Sequence, residues 1–347
     1  MTTAPISTAT AARAELTALL RDVEVGLADH LALESARRAH PDPRGALPVL
    51  DIAALVHAGG KRLRPLFCLT GFLAAGGVPG SLPVPAAMAV ELLHIGALIH
   101  DDVMDDSSLR RGAPTVHARH ALEHKENRWR GEPRRYGEAM AILAGDLAWT
   151  YADGLMAGYG ADVAREWCEM RSELCSGQAL DVVAAAEFAA DPLLARHIAV
   201  VKSGRYTIQR PLTLGALIAG RPDLAPAFAV YGEALGEAFQ LRDDLIDAFG
   251  SSDLSGKPAG LDFAQHKMTL LISLAMRHNA EVRALVERQA FDELRDHLVV
   301  SGALEAVEDH IGDLVRTART AIAEAPISDE WHDELCVLAV QVAYRDR

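Results

Sequence analysis

The chain has 347 residues, of which 50% are hydrophobic, 24% charged and 5% aromatic. This composition excludes an intrinsically disordered, collagen-like or low-complexity protein and is ample for a folded core. Lys and Arg number 34 against 48 Asp and Glu, a net charge of −14, so the chain as a whole repels phosphate backbones and anionic membranes, and a nucleic-acid partner is not expected.

Residues 1–10 are small, polar and proline-containing and are expected to be disordered, with 11–347 forming a single helical domain. No basic segment followed by an apolar one marks a secretory signal. The four cysteines, Cys68, Cys168, Cys175 and Cys336, lack C-x-x-C or zinc-ligand spacing, which reads as reduced thiols in a cytoplasmic protein. Ala, Leu, Glu and Arg recur at three- and four-residue spacing, as in AVELLHIGALIHDDVMD (89–105) and YGEALGEAFQLRDDLID (231–247). Alternating β-branched runs are nearly absent, so the spacing predicts an all-α fold. Loops are expected at GGKRLRP (59–65), GGVPGSLPVP (76–85), RRGAP (110–114), RWRGEPRR (128–135), AGRPDLAP (219–226) and GSSDLSGKPAGLD (250–262). They separate helices of about 12 to 25 residues. The most apolar stretch, Pro85 to Ile99, is interrupted by Glu91 and His94 and falls short of about 18 uncharged residues, so no membrane span is expected.

Two acidic triads stand out. Asp101 and Asp105 lie one helical turn apart with Asp102 beside them, and Asp243, Asp244 and Asp247 repeat the pattern after a second apolar run. Like charges at this spacing repel, by ~0.2–0.5 kcal/mol per pair on an isolated helix. A lone triad reads equally well as a solvated helix end, but two copies in apolar settings point to bound cations. Carboxylates without His or Cys partners favour Mg²⁺, which shares its shell with substrate phosphates. Cations flank both motifs: Lys61, Arg62 and Arg64 after a Gly pair, Arg110 and Arg111 after the first triad, Lys257 and Lys267 after the second. Any one alone reads as an ordinary surface charge; their placement suggests a diphosphate held by metal, Arg and Lys.

The ordered series GGKRLRP, ELLHIGALIHDDVMDDSSLRRGAPT, GEAMAILAGDLAW, CSGQALD, KSGRYTIQRPL, FQLRDDLIDAFG and GKPAGLDFAQHKMTLL resembles the trans isoprenyl diphosphate synthases, most closely the actinobacterial-type geranylgeranyl diphosphate synthases. The resemblance implies about ten or more mostly antiparallel helices around a deep central cavity, and a homodimer. It implies condensation of isopentenyl diphosphate with dimethylallyl, geranyl or farnesyl diphosphate. About three Mg²⁺ would sit on Asp101, Asp102, Asp105, Asp243, Asp244 and Asp247. Arg110, Lys202, Ser203, Gln240, Lys257 and Lys267 would hold the allylic diphosphate, and Lys61, Arg64, His94 and Arg111 isopentenyl diphosphate. Of these, Asp101, Asp102, Asp105, Asp243, Asp244 and Lys202 would be catalytic. Ser203, His266 and Ala113 depart from the usual family residues without removing a charge. Without the resemblance, His94 would read as a hydrogen-bonded core residue.

Product length is expected to depend on the helix face below the first triad. Ala97 and Gly96 are small, and Leu93 and Val90 lie about 12 and 16 Å below Asp101 at ~1.5 Å per residue. That depth suits a twenty-carbon product; the small residues would equally serve close helix packing. Farnesyl or longer products remain alternatives. A terpene cyclase would carry a different second metal motif, and a non-catalytic partner subunit would tolerate loss of a triad. The sequence leaves open whether the C-terminal AYRDR covers the site.

Overall fold

The computed structural model describes residues 8–78, 82–249, 263, 267–278 and 280–345. As the periodicity predicts, the described residues are helical almost throughout, with one minimal hairpin among them. Helix α1 (Thr8–Arg38) starts inside the stretch expected to be disordered; residues 1–7 lie outside the described residues. At 31 residues it exceeds the expected length, because nothing interrupts it: it contains no proline and only Gly26, and it ends just before the prolines at 41 and 43.

The chain divides into two compact units, of which the first comprises Leu16–Leu69 and Pro79–Gly160. It contains most of α1, then α2 (Leu47–His57), the start of α3 (Leu63–Ala74), α4 (Pro83–Met104), α5 (Val116–Glu126) and α6 (Pro133–Met156). Helix α6 packs against α2, α4 and α5. Apart from Tyr151 and Met156, its buried residues are small, Gly137, Ala141, Ala144, Gly145, Ala148 and Ala152, which lets neighbouring helices approach closely. A Cβ on Gly137 would meet the His117 carbonyl of α5 at 2.1 Å, and one on Gly145 the His100 ring of α4 at 2.2 Å.

By length and composition alone, helix α4 could cross a bilayer. Two-thirds of its apolar window is buried in the protein, and Glu91 and Asp102 are buried on it. It is a core helix.

The second unit comprises Met1–Glu15, Thr70–Val78 and Ala161–Arg347. It contains α7 (Ala161–Glu187), α8 (Pro192–Ile198), a π-helix (Ala199–Gln209), α9 (Arg210–Ile218), α10 (Ala225–Phe249), α11 (Leu270–His278), α12 (Ala280–Glu287), α13 (Phe291–Val300), α14 (Ala303–Ala323) and α15 (Asp329–Ala343). The π-helix packs against α7 and α10. Glycines permit this: a Cβ on Gly177 would meet the Lys202 backbone nitrogen at 2.5 Å, and one on Gly236 the Cα of Gly204 at 2.5 Å. Charge secures it. Arg205 donates to Glu173 at 2.6 Å and to Glu233 at 3.0 Å, while Arg210 donates to Glu166 at 2.8 Å and to Glu173 at 2.7 Å.

Candidate active site

In the first unit, α4 carries His94, Asp101 and Asp102, and Asp105 is its C-cap. The chain then turns through Asp106, at φ +50°, into a two-residue hairpin, β1 (Leu109–Arg110) and β2 (Ala113–Pro114). RRGAP, read as a loop, pairs Arg110 with Ala113, its turn formed by Arg111 and Gly112 at φ +52° and +76°. Two positive-φ residues make the turn match the strand twist. Thr115 ties the hairpin to the helix end by donating its hydroxyl to the Ser107 carbonyl at 2.7 Å.

This geometry divides the first triad. Arg110 donates through Nε to both carboxylate oxygens of Asp102 at 2.8 Å and through Nη2 at 2.6 Å, and Asp102 is only 2% exposed. Asp101 and Asp105 are half-buried instead. Burial works against the Arg110 charge, but Asp102, Asp101 and Asp105 outweigh it and raise its pKa.

Of the residues assigned to isopentenyl diphosphate, Arg64 and Arg111 lie within electrostatic reach of His94. Burial lowers its pKa well below 6.5, and the fields of Arg64, Arg110, Arg111 and Arg62 lower it further. The imidazole is therefore neutral, a hydrogen-bonding group amid guanidinium charge. Arg111 donates to the Gly59 carbonyl and lies so close to Gly60 that a Cβ there would meet its Nη2 at 3.1 Å. Burial and then Arg110 lower the Arg111 pKa, with Arg62 and Arg64 adding to the effect. Such crowding of positive charge is a mark of an anion site. Lys61 is exposed and Arg64 is buried.

A pH dependence follows from this neutral imidazole. Unfolding restores the ordinary pKa near 6.5 while the folded value lies well below it, so the unfolded chain takes up the extra proton in acid. This contribution is complete above about pH 6.5 and is lost as pH falls toward the folded value. His30 and His120 are shifted in the same direction, so the comparison requires a variant. His94→Gln is expected to lose less melting temperature than the wild type between pH 7 and 5; identical losses would refute the assignment.

The chain-length residues occupy different settings. Gly96 faces α6: a Cβ there would meet the Trp149 ring at 2.4 Å and the Gly145 carbonyl at 2.9 Å. Its smallness serves helix packing, and Trp149, which the sequence reading passed over, supplies bulk beside it. The indole N–H donates to the Leu93 carbonyl at 3.0 Å. Leu93 and Val90 are buried, and Ala97 is half-exposed.

In the second unit, Asp244 is buried and accepts from the Gln240 amide at 2.8 Å. Asp247 is half-buried and Asp243 exposed. Arg345 pairs with Asp243, stacks its guanidinium 3.9 Å from the Phe239 ring centre and donates to the Phe239 carbonyl at 3.2 Å. The C-terminus is thus tied to the second triad. Lys202 lies in the π-helix with its ammonium 2.5 Å from Asp181, and Ser203 beside it is half-buried. Asp181 belongs to the CSGQALD motif, but nothing in its spacing pointed to Lys202. Lys267 is half-buried; Lys257 and His266 lie outside the described residues.

Among the described residues no three His, Cys, Asp or Glu side chains form a ready-made metal cage. Asp101, Asp105 and Asp247 are half-buried carboxylates. A donor set of carboxylates alone fits Mg²⁺, which needs one or two of them and completes its shell with water and phosphate oxygens.

Residues 51–304 match the polyprenyl synthetase family, and the chain belongs to it; it is a prenyltransferase. It is 34% identical to the short chain isoprenyl diphosphate synthase of Methanothermobacter thermautotrophicus, over 65% of this chain and 66% of that protein. It is 36% identical to the farnesyl diphosphate synthase of Escherichia coli, over 73% of this chain and 84% of that one. A crystal structure of geranylgeranyl pyrophosphate synthase from Corynebacterium glutamicum, complexed with isoprenyl diphosphate and magnesium, superposes with a TM-score of 0.86 at 34% identity, covering 96% of this chain and 99% of that one. Named products among the relatives run from farnesyl to nonaprenyl diphosphate.

Proposed function

We propose that the chain condenses isopentenyl diphosphate head-to-tail with allylic diphosphates and that its main product is geranylgeranyl diphosphate. The observation that carries this reading is the guanidinium cluster around neutral His94, on the helix that ends in Asp101, Asp102 and Asp105. It supplies an anion pocket for a second diphosphate besides the one the aspartates serve, which an enzyme ionising a single prenyl diphosphate would not require.

In this reading Lys61, Arg64, Arg111 and His94 hold isopentenyl diphosphate and bring its double bond toward the allylic carbon. Arg110, Lys202, Gln240, Lys257 and Lys267 hold the allylic diphosphate, with Asp101, Asp105, Asp243, Asp244 and Asp247 serving about three Mg²⁺. Asp102 contributes by fixing Arg110, a role supported by their bidentate pair. Magnesium, when bound, supplies charge neutralisation to the departing diphosphate. The carbonyl dipoles of the π-helix near Lys202 and Ser203 and the amide oxygen of Gln240 would stabilise positive charge on the allyl group. The released diphosphate then accepts the proton that closes the turnover. We further propose a cytoplasmic homodimer; exposed Leu122 of α5 and Ile142 and Leu143 of α6 are apolar side chains that a second copy would cover.

Incubation with Mg²⁺, labelled isopentenyl diphosphate and each allylic primer tests the reading. Elongation to twenty carbons is expected. A cyclic hydrocarbon would favour a cyclase, and no elongation with any primer would overturn the proposal. Ala97, the small half-exposed position below the triad, is the place to vary length: Ala97→Phe is expected to shorten the product to fifteen carbons or fewer by chromatography. An unchanged product would place the pocket floor elsewhere.

A further inference from the structure

We infer that Glu91 is a positioning residue for the isopentenyl diphosphate pocket, acting through Arg62. The inference rests on the proposed role of Lys61, Arg64, His94 and Arg111, and explains what holds those groups in place.

Arg62 lies between two of the pocket cations, yet its guanidinium is spent on the protein. Nη1 donates to Glu91 at 2.6 Å, Nε to Glu24 at 2.6 Å, and Nη2 to the Val56 carbonyl at 2.6 Å and to Glu24 at 3.2 Å. The side chain is 7% exposed. Four of the five N–H donors of this planar fork are thus spent on the protein, which leaves one on Nη1. It acts as a strut, joining α1 through Glu24, the end of α2 through Val56, and α4 through Glu91.

The backbone carries the same message. Arg62 is held at φ +48°, a left-handed conformation that a non-glycine residue adopts only when its surroundings enforce it. The enforced turn sets how Lys61 and Arg64 leave the loop, and it follows Gly59 and Gly60, against which Arg111 rests. Glu91 lies three residues before His94 on α4 and is 3% exposed, so one buried carboxylate sets the loop relative to the imidazole it must face. Burial of Glu91 is tolerable only because Arg62 pairs with it. Glu24, at the outer side of the strut, is 48% exposed and serves as the weaker anchor.

The test separates the two substrates. In steady-state assays Glu91→Gln is expected to raise KM for isopentenyl diphosphate about tenfold or more, with KM for the allylic diphosphate within about twofold, because a shift of about 1 Å in positioning groups has effects of this order or larger. Glu24→Gln, at a half-exposed site that the fold tolerates, is expected to raise the same KM about twofold to threefold, and it carries the test where Glu91→Gln does not fold. Calorimetric titration of each variant with isopentenyl diphosphate alone is expected to show the same ordering. Equal increases in both KM values, or no increase in a folded variant, would overturn the positioning role while wild-type elongation left the function standing. A wild-type chain that neither bound nor elongated isopentenyl diphosphate would overturn the function first and the inference with it.

Discussion

Asp101→Ala is expected to lower turnover about a thousandfold while leaving the fold intact, and Asp244→Ala to do the same. The side chain of Asp101 is 24% exposed and its ion pair with Arg110 spans 4.0 Å, a contact worth less than about 1 kcal/mol to stability. Asp244 is buried, accepting the Gln240 amide, so its removal also costs about 1 kcal/mol for the lost hydrogen bond. Neither sum threatens a domain of this size. Ionisation of the allylic carbon–oxygen bond is another matter, since the departing diphosphate must be neutralised as charge develops. Each of these carboxylates is proposed to hold part of the neutralising charge, and losing one oxyanion-stabilising group costs about 10²–10³ in rate. Single-turnover measurement at saturating substrates, beside urea unfolding of the same preparations, checks both halves. A near-normal rate in either variant would count against metal binding at these residues.

The sequence made one class of fact visible and hid another. The helix bearing His94 and the first triad was legible because its apolar residues repeat at helical spacing and its acidic residues share a turn. The pairing of Arg62 with Glu91, 29 positions away, was hidden: an arginine between Lys61 and Arg64 looks like one more phosphate ligand until its donors are counted. Gly96 stayed undecided for a related reason. A small residue below the triad leaves room for either substrate or a neighbouring helix, and only the position of Trp149, on α6, decides for the helix. The π-helix was hidden in the same way, since its form depends on Gly177 and Gly236 from other helices and on the carboxylates of Glu166, Glu173 and Glu233. Nor could spacing tie Arg345 to Asp243, 102 residues apart.

The same division between local pattern and distant partner makes Asp102 behave unlike Asp101 beside it. Asp102→Ala is expected to destabilise the protein by about 3–5 kcal/mol, because it leaves a buried guanidinium without its bidentate, hydrogen-bonded partner. The side chains of Asp102 and Arg110 are 3% and 12% exposed, so water cannot replace the lost partner. Asp101 lies too far off, at 4.0 Å, to accept the freed donors without moving the hairpin. The cause can be isolated by removing both charges. Asp102→Ala combined with Arg110→Met is expected to recover most of the lost stability in urea titration, giving a coupling of about 2–3 kcal/mol in the double-mutant cycle. Activity should not return with it, since the double variant lacks the guanidinium proposed to meet the allylic diphosphate. An Asp102→Ala protein within about 1 kcal/mol of the wild type would show that Arg110 finds another partner, and would return Asp102 to the metal-binding role that its place in the motif suggests.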